Sequence, residues 1–136
     1  MEATATAAKT RNWFKVVNAV EKANEAEILI YDEIGGFGIS AADFVSALKA
    51  TGASSYHVRI NSPGGSVFEG LTIYNYLRSK DARVTVDGLA ASSASIVAMA
   101  GNLVVMGIGS MMMIHNPFGA VVGDSKDMRQ IADALD

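Results

Sequence analysis

Three short stretches of this chain hold residue types that could carry acyl-transfer chemistry. The first is Ser62-Pro63-Gly64-Gly65. Pro63 fixes its own φ and pushes Ser62 toward an extended conformation. The two glycines permit positive φ and let a substrate approach the backbone with no Cβ in the way. Amide N–H groups freed by such a turn can point at a developing oxyanion, although a plain strand-to-helix turn uses the same residues. The second stretch is Gly88-Leu89-Ala90-Ala91-Ser92-Ser93. A serine opening a small-residue helix is either its N-cap or a nucleophile held where the helix dipole favours negative charge. Ala90, Ala91 and Ala94 allow close backbone packing there, and composition does not separate Ser92 from Ser93 or Ser95. The third is His115, which follows Met111-Met112-Met113-Ile114 and precedes Asn116-Pro117, where a strand leaves the core. It reads as a structural residue or as a base. His57, between Tyr56 and Val58 inside a strand, reads as structural.

These stretches need elements to hold them. Alternation over Trp13 to Asn18 predicts a first strand, and the charged segment Glu21 to Glu27 a turn or short helical connection. Glu27 to Tyr31 is an apolar run suited to a buried strand, ending in the loop Gly35 to Gly38. Ser40 can cap a helix carrying Phe44, Val45 and Leu48, stopped at Thr51-Gly52. Tyr56 to Ile60 predicts a second buried strand. A helix from Val67 to Ser79 follows, with Leu71, Tyr74 and Leu77 on one face. Val84 to Val86 predicts a third strand, and Gly88 to Ala91 a loop into a helix ending at Gly101. Leu103 to Met106 and Met111 to Ile114 read as short strands, the methionine triplet as core packing, and Asp124 to Ala134 as a last helix. Strand, loop and helix in alternation give right-handed βαβ crossovers on a mostly parallel sheet. Ligands bind such sheets at the carboxyl ends of the strands, where Asn61 to Gly65 and Gly88 to Ser92 fall.

Composition narrows the function. With 136 residues the chain fits one domain, read as residues 13–136 behind a flexible leader over 1–12. Half of the residues are hydrophobic and 18% charged, so it is not a disordered chain. The absence of cysteine excludes disulfides and thiol chemistry, and two histidines make no metal site. No metal or cofactor is expected. The net charge of −3 and the lack of a basic run leave no footprint for nucleic acid. Gly88 to Ile114 carries no charge, but its glycines interrupt any membrane span, so it reads as α/β core. Met1 to Lys9 has no apolar core of a signal peptide, which suggests a cytoplasmic protein.

Together and in this order, Asn61-Ser62-Pro63-Gly64-Gly65, Gly88-Leu89-Ala90-Ala91-Ser92 and Met113-Ile114-His115-Asn116-Pro117 resemble the Clp protease proteolytic subunit family. The likeness runs from about Ile28 to the C-terminus. It implies the spiral of βαβ units shared with the crotonases, and a serine endopeptidase that needs no ATP by itself. By that resemblance Ser92 is the nucleophile and His115 the general base. Gly64, Gly65 and Ser93, the residue after the nucleophile, supply the oxyanion hole. The family's acid lies on a strand beyond the helix after the histidine. Asp87, Asp124, Asp127, Asp133 and Asp136 do not match it, so the acid is expected beyond Asp136, with the helix from Asp124 a shortened inter-ring handle. Polypeptide substrates and ring-shaped homo-oligomers are also implied. Ile30 to Gly35, Phe44 and Asn75-Tyr76-Leu77 look most like the bacteriophage branch, whose members process scaffold or capsid precursors during head maturation. A crotonase-like acyl-thioester enzyme and a non-catalytic assembly fragment are the rival readings. Substitution of Gly65 by valine is expected to cost turnover rather than stability.

Overall fold

Side-chain alternation along three adjacent strands divides the molecule into an apolar half and a charged half. The computed structural model describes residues 11–20 and 24–136. Among these are six strands: β1 (Phe14–Val20), β2 (Glu25–Ile30), β3 (Ser55–Ser62), β4 (Asp81–Ala91), β5 (Leu103–Met106) and β6 (Met111–Met113). The helices are α1 (Ala41–Ala50), α2 (Val67–Arg78), α3 (Ser93–Ala98) and α4 (Ser125–Leu135). β1 lies antiparallel to β2, and β2, β3, β4 and β5 run parallel in that order. On the edge away from β3, β4 takes two partners in succession, β5 against Arg83 to Val86 and β6 against Leu89 to Ala91. This is the mixed α/β fold with a mostly parallel sheet that the element order implies.

Ala26, Ile28 and Ile30 of β2, Val58 and Ile60 of β3, and Ala82, Val84 and Val86 of β4 are buried on one face. Phe44 and Leu48 of α1, Ile73 and Leu77 of α2, and Ala94, Val97 and Ala98 of α3 join them in one core. Each large aliphatic side chain buried in it contributes about 1.5–3 kcal/mol. Trp13 closes one end, its ring stacked on Phe44 at 5.5 Å and its Nε1–H donating to the Ile39 carbonyl at 2.9 Å. Ser40 starts α1 as expected: its hydroxyl accepts from the Asp43 N–H, and the Asp43 carboxylate accepts from the Ser40 N–H at 2.7 Å.

The structure departs from the sequence reading in several places. β2 begins at Glu25, because Glu25 and Glu27 face away from the core and find cations across the sheet. Tyr31 lies past the strand and is exposed. Gly88 to Ala91 is no loop; β6 supplies a neighbour that keeps it in β4. Leu71 of α2 is partly exposed, and the buried side is Gly70, Ile73 and Leu77. Gly70 meets α3 so closely that a Cβ there would sit 2.9 Å from the Ser93 Cβ. Only Met112 of the methionine triplet packs on the core, since alternation turns Met111 and Met113 outward. Leu103, Val105 and Ile108 are exposed as well, so the uncharged stretch is core only in part. The leader expected over 1–12 falls mostly on residues 1–10, and the connection over Glu21 to Glu27 partly on 21–23, outside the described residues. Arg11 is described, and its guanidinium donates to the Asp32 carboxylate at 2.9 Å. No described helix is long and apolar enough to cross a membrane.

The other sheet face carries a ladder of charges. Arg83 reaches across β3 to Glu25 at 2.8 Å, and Arg59 grips Asp87 with two bonds of 2.7 and 2.9 Å. Between them His57 holds Thr85 Oγ1 at 2.9 Å from Nε2 and lies 3.5 Å from Glu27 through Nδ1. Burial pushes the His57 pKa below the ordinary histidine value, helped by Arg83 and Arg59 and opposed by Glu27 and Glu25. A depressed folded-state pKa supports folding fully above about pH 6.5 and loses that support as pH falls through the ordinary value. The lowered carboxyl pKa values of Glu25 and Asp87 act separately, near pH 4 and below. The melting temperature is therefore expected to fall between pH 7.5 and 5.5, and His57→Gln to flatten that fall. An unchanged slope in the variant would remove His57 from this account.

Candidate active site

Ser92 stands between β4 and α3 with φ 55° and ψ −128°, a conformation rare for a residue with a Cβ. Such strain costs on the order of 1–3 kcal/mol and persists only where surrounding structure enforces it. Here the Ser92 N–H donates to the Met113 carbonyl of β6 at 2.8 Å. Its carbonyl accepts from the Ser95 N–H at 2.9 Å and from Ser95 Oγ at 2.6 Å. The Ser92 side chain makes no capping bond, although it occupies the N-cap position. The three serines thus separate. Among the described residues Ser95 is committed to the Ser92 carbonyl, Ser93 is buried with its Oγ unpaired, and Ser92 lines a cleft with its hydroxyl uncommitted.

The Pro-Gly-Gly turn packs directly against this bend. Gly64 has φ +95°, and a Cβ on it would lie 2.6 Å from the Ala91 carbonyl and 2.7 Å from the Ser92 Cβ. Gly65, at φ +147°, presses instead on Ile34, where a Cβ would collide with the Ile34 carbonyl. The Ile34 N–H donates to the Gly64 carbonyl at 2.8 Å, and the Ser66 N–H to the Ile34 carbonyl at 3.0 Å. A valine at Gly65 therefore threatens the fold as well as the chemistry, contrary to the sequence expectation. Ser62, a buried polar residue at an inward position of β3, pins the turn. Its hydroxyl donates to the Asp32 carbonyl at 2.7 Å and accepts from the Gly64 N–H at 3.1 Å. The Gly64 N–H is thereby occupied. The N–H groups of Gly65 and Ser93 have no acceptor among the described residues, and both residues line the cleft.

His115 lines the same cleft, of about 530 Å³, two residues past the end of β6. The fold thus gathers Ser92, His115, Gly64, Gly65 and Ser93 around one space. His115 is exposed, with Nδ1 2.6 Å from the Asn116 carbonyl and its ring 5.5 Å from that of Phe118. No hydrogen bond joins Ser92 to His115 among the described residues. Asp87, the carboxylate closest to Ser92 in sequence, lies in β4 and belongs to the opposite sheet face. Arg59 holds its carboxyl below the usual range, and it accepts the Tyr31 hydroxyl at 2.5 Å. Asp124 and Asp127 form the capping box of α4. No carboxylate among the described residues bonds to His115, and none of the described residues forms a cluster of three or more groups fit to hold a metal. Sequence reasoning passes over Ser62 as a pin; the available signal is a serine continuing the inward series Val58, Ile60.

The close approach can be measured. Gly64 and Gly109 both have positive φ, +95° and +77°, but a Cβ at Gly109 meets nothing within 4 Å. Gly64→Ala is expected to destabilise by about 1–3 kcal/mol more than Gly109→Ala in denaturant unfolding, the usual range for overpacking. Equal losses would mean that the turn does not abut Ser92.

Comparison with known proteins fits this geometry. Residues 9–136 match the family model for Clp protease. The chain is 40% identical over 83 residues to an ATP-dependent Clp protease proteolytic subunit of Ligilactobacillus salivarius, covering 58% of this chain and 42% of that relative. It is 40% identical over 75 residues to the subunit of the same description in Bacteroides fragilis, covering 52% and 36%. Over 83 residues it is 36% identical to proteolytic subunit 1 of Synechococcus, covering 58% and 42%. The matched segment therefore spans less than half the length of these relatives. With the family match running through the cleft residues, the chain belongs to the Clp protease family.

Proposed function

We propose that this chain carries the nucleophile, base and oxyanion hole of a serine endopeptidase. The observation that supports this best is the bend at Ser92, an uncommitted hydroxyl beside the open N–H groups of Gly65 and Ser93. Ser92 Oγ attacks the scissile carbonyl while His115 takes its proton. The carbonyl oxygen becomes an oxyanion between the Gly65 and Ser93 amides, where one such donor contributes about 10²–10³ in rate. Collapse of the adduct breaks the C–N bond, His115 protonates the departing amine, and water then releases the acyl group from Ser92. Gly64 serves this hole by shape, its N–H being held by Ser62.

His115 needs a partner to fix its tautomer and stabilise the imidazolium. Asp87 is tied to Arg59, and the resemblance to the family puts the acid beyond Asp136. Disabling a triad acid costs about 10⁴ in turnover, and residues 1–136 alone are expected to be that much slower than a chain carrying the acid. Assembly into rings is part of the same reading. It is supported by exposed Leu103 and Val105 of β5, Met111 and Met113 of β6, and Met128 and Ile131 of α4. The finer reading is a cytoplasmic, ATP-independent phage head-maturation protease acting on scaffold or capsid precursors, supported by the segments Ile30 to Gly35 and Asn75 to Leu77.

An activated serine separates this reading from an acyl-thioester enzyme without a nucleophile. In a form extended past Asp136 through the expected acid, a fluorophosphonate is expected to label the protein, and Ser92→Ala to abolish the label with unchanged circular dichroism. Undiminished labelling of Ser92→Ala would overturn the assignment. Equal peptidase activity with and without sequence beyond Asp136 would place the acid within the chain.

A further inference from the structure

We propose that Glu33 makes this cleft selective for peptides bearing lysine or arginine within about two residues of the scissile bond. The position of that bond rests on the serine-peptidase reading; the charge selection comes from the cleft itself. Val67, Ile96, Ile114, Pro117 and Phe118 give the cleft largely apolar walls. Of the described residues that line it only Glu33 and His115 are ionisable. Glu33 is exposed, and its carboxylate makes no ion pair or hydrogen bond among the described residues. The neighbouring carboxylates are committed, Asp32 to Arg11 and Glu69 to the Ala41 N–H. Glu33 is thus an uncompensated negative charge at the rim of an apolar cleft, where low-dielectric walls focus its field.

Its position is fixed relative to the chemistry. The Glu33 N–H donates to Asp32 Oδ1 at 2.9 Å, and its carbonyl accepts from the Gly36 N–H at 3.0 Å. The next residue, Ile34, is bridged to Gly65, whose N–H faces the reacting carbonyl in the proposed mechanism. An extended peptide advances about 3.3 Å per residue, so the substrate side chain that meets Glu33 lies close to the bond being cut. A cation there gains a partner. A carboxylate there is repelled.

The test uses three fluorescein-labelled heptapeptides with one apolar central residue, differing only in Lys, Ala or Glu on both sides of it. Their affinity for the Ser92→Ala chain, which binds without cutting, is read by fluorescence anisotropy. The lysine peptide is expected to bind about fivefold tighter than the alanine peptide, the glutamate peptide weakest, with the gap shrinking at high salt. Adding Glu33→Gln should erase the order, and Glu33→Lys should invert it. Equal affinities, an order that survives Glu33→Gln, or no binding by any peptide would overturn the proposal. Fluorophosphonate labelling of a form extended past Asp136 with Ser92 intact, run in parallel, tests the peptidase reading separately. A lysine preference without any labelling would sink that reading and leave the charge selection standing.

Discussion

The backbone of Ser92 is the constraint on which the site depends. A serine at φ 55° is unfavourable by itself, and three separate elements hold it there. β6 offers the Met113 carbonyl to the Ser92 N–H, α3 begins at once and turns Ser95 back on the Ser92 carbonyl, and Gly64 fills the space beneath. Gly64 can come so near because it has no Cβ, and Ser62 and Ile34 hold its N–H and carbonyl in place. The strain therefore marks where several parts of the fold converge, and the uncommitted hydroxyl sits at that point.

The sheet makes the convergence possible. Its apolar face anchors α1, α2 and α3, so the strand ends that carry Ser62 and Ser92 lie side by side in parallel register, Ser62 opposite Ala90. Its charged face keeps other ionisable groups away from the chemistry. Asp87 would be the obvious partner for a histidine on sequence distance alone, yet alternation in β4 turns it to Arg59 and Tyr31. A bidentate arginine pair holds that carboxylate in place far more firmly than a single contact would.

Local chemistry made much of this legible. Ser40 with Asp43 announced a helix start, and Pro63-Gly64-Gly65 a turn with open backbone. The extension of β4 through Ala91 was hidden because its cause, β6, lies twenty residues downstream and pairs only after folding. The same non-local pairing decides which methionine faces inward. Choosing Ser92 over Ser93 and Ser95 needed hydrogen-bond geometry, since all three are serines with small neighbours. The resemblance pointed to Ser92, and the committed hydroxyl of Ser95 and buried hydroxyl of Ser93 give that choice a physical reason. The role of Ser62 rests on a contact with the Asp32 carbonyl thirty residues away, which no local pattern encodes.

The most direct measurement is a crystal structure of a form extended past Asp136 after reaction with a fluorophosphonate. The account predicts a bond from phosphorus to Ser92 Oγ, with the phosphoryl oxygen within hydrogen-bond distance of the Gly65 and Ser93 amides. It also predicts that the Gly64 N–H stays on Ser62 Oγ. Phosphorus on Ser93 or Ser95, or a phosphoryl oxygen turned away from both amides toward solvent, would contradict it.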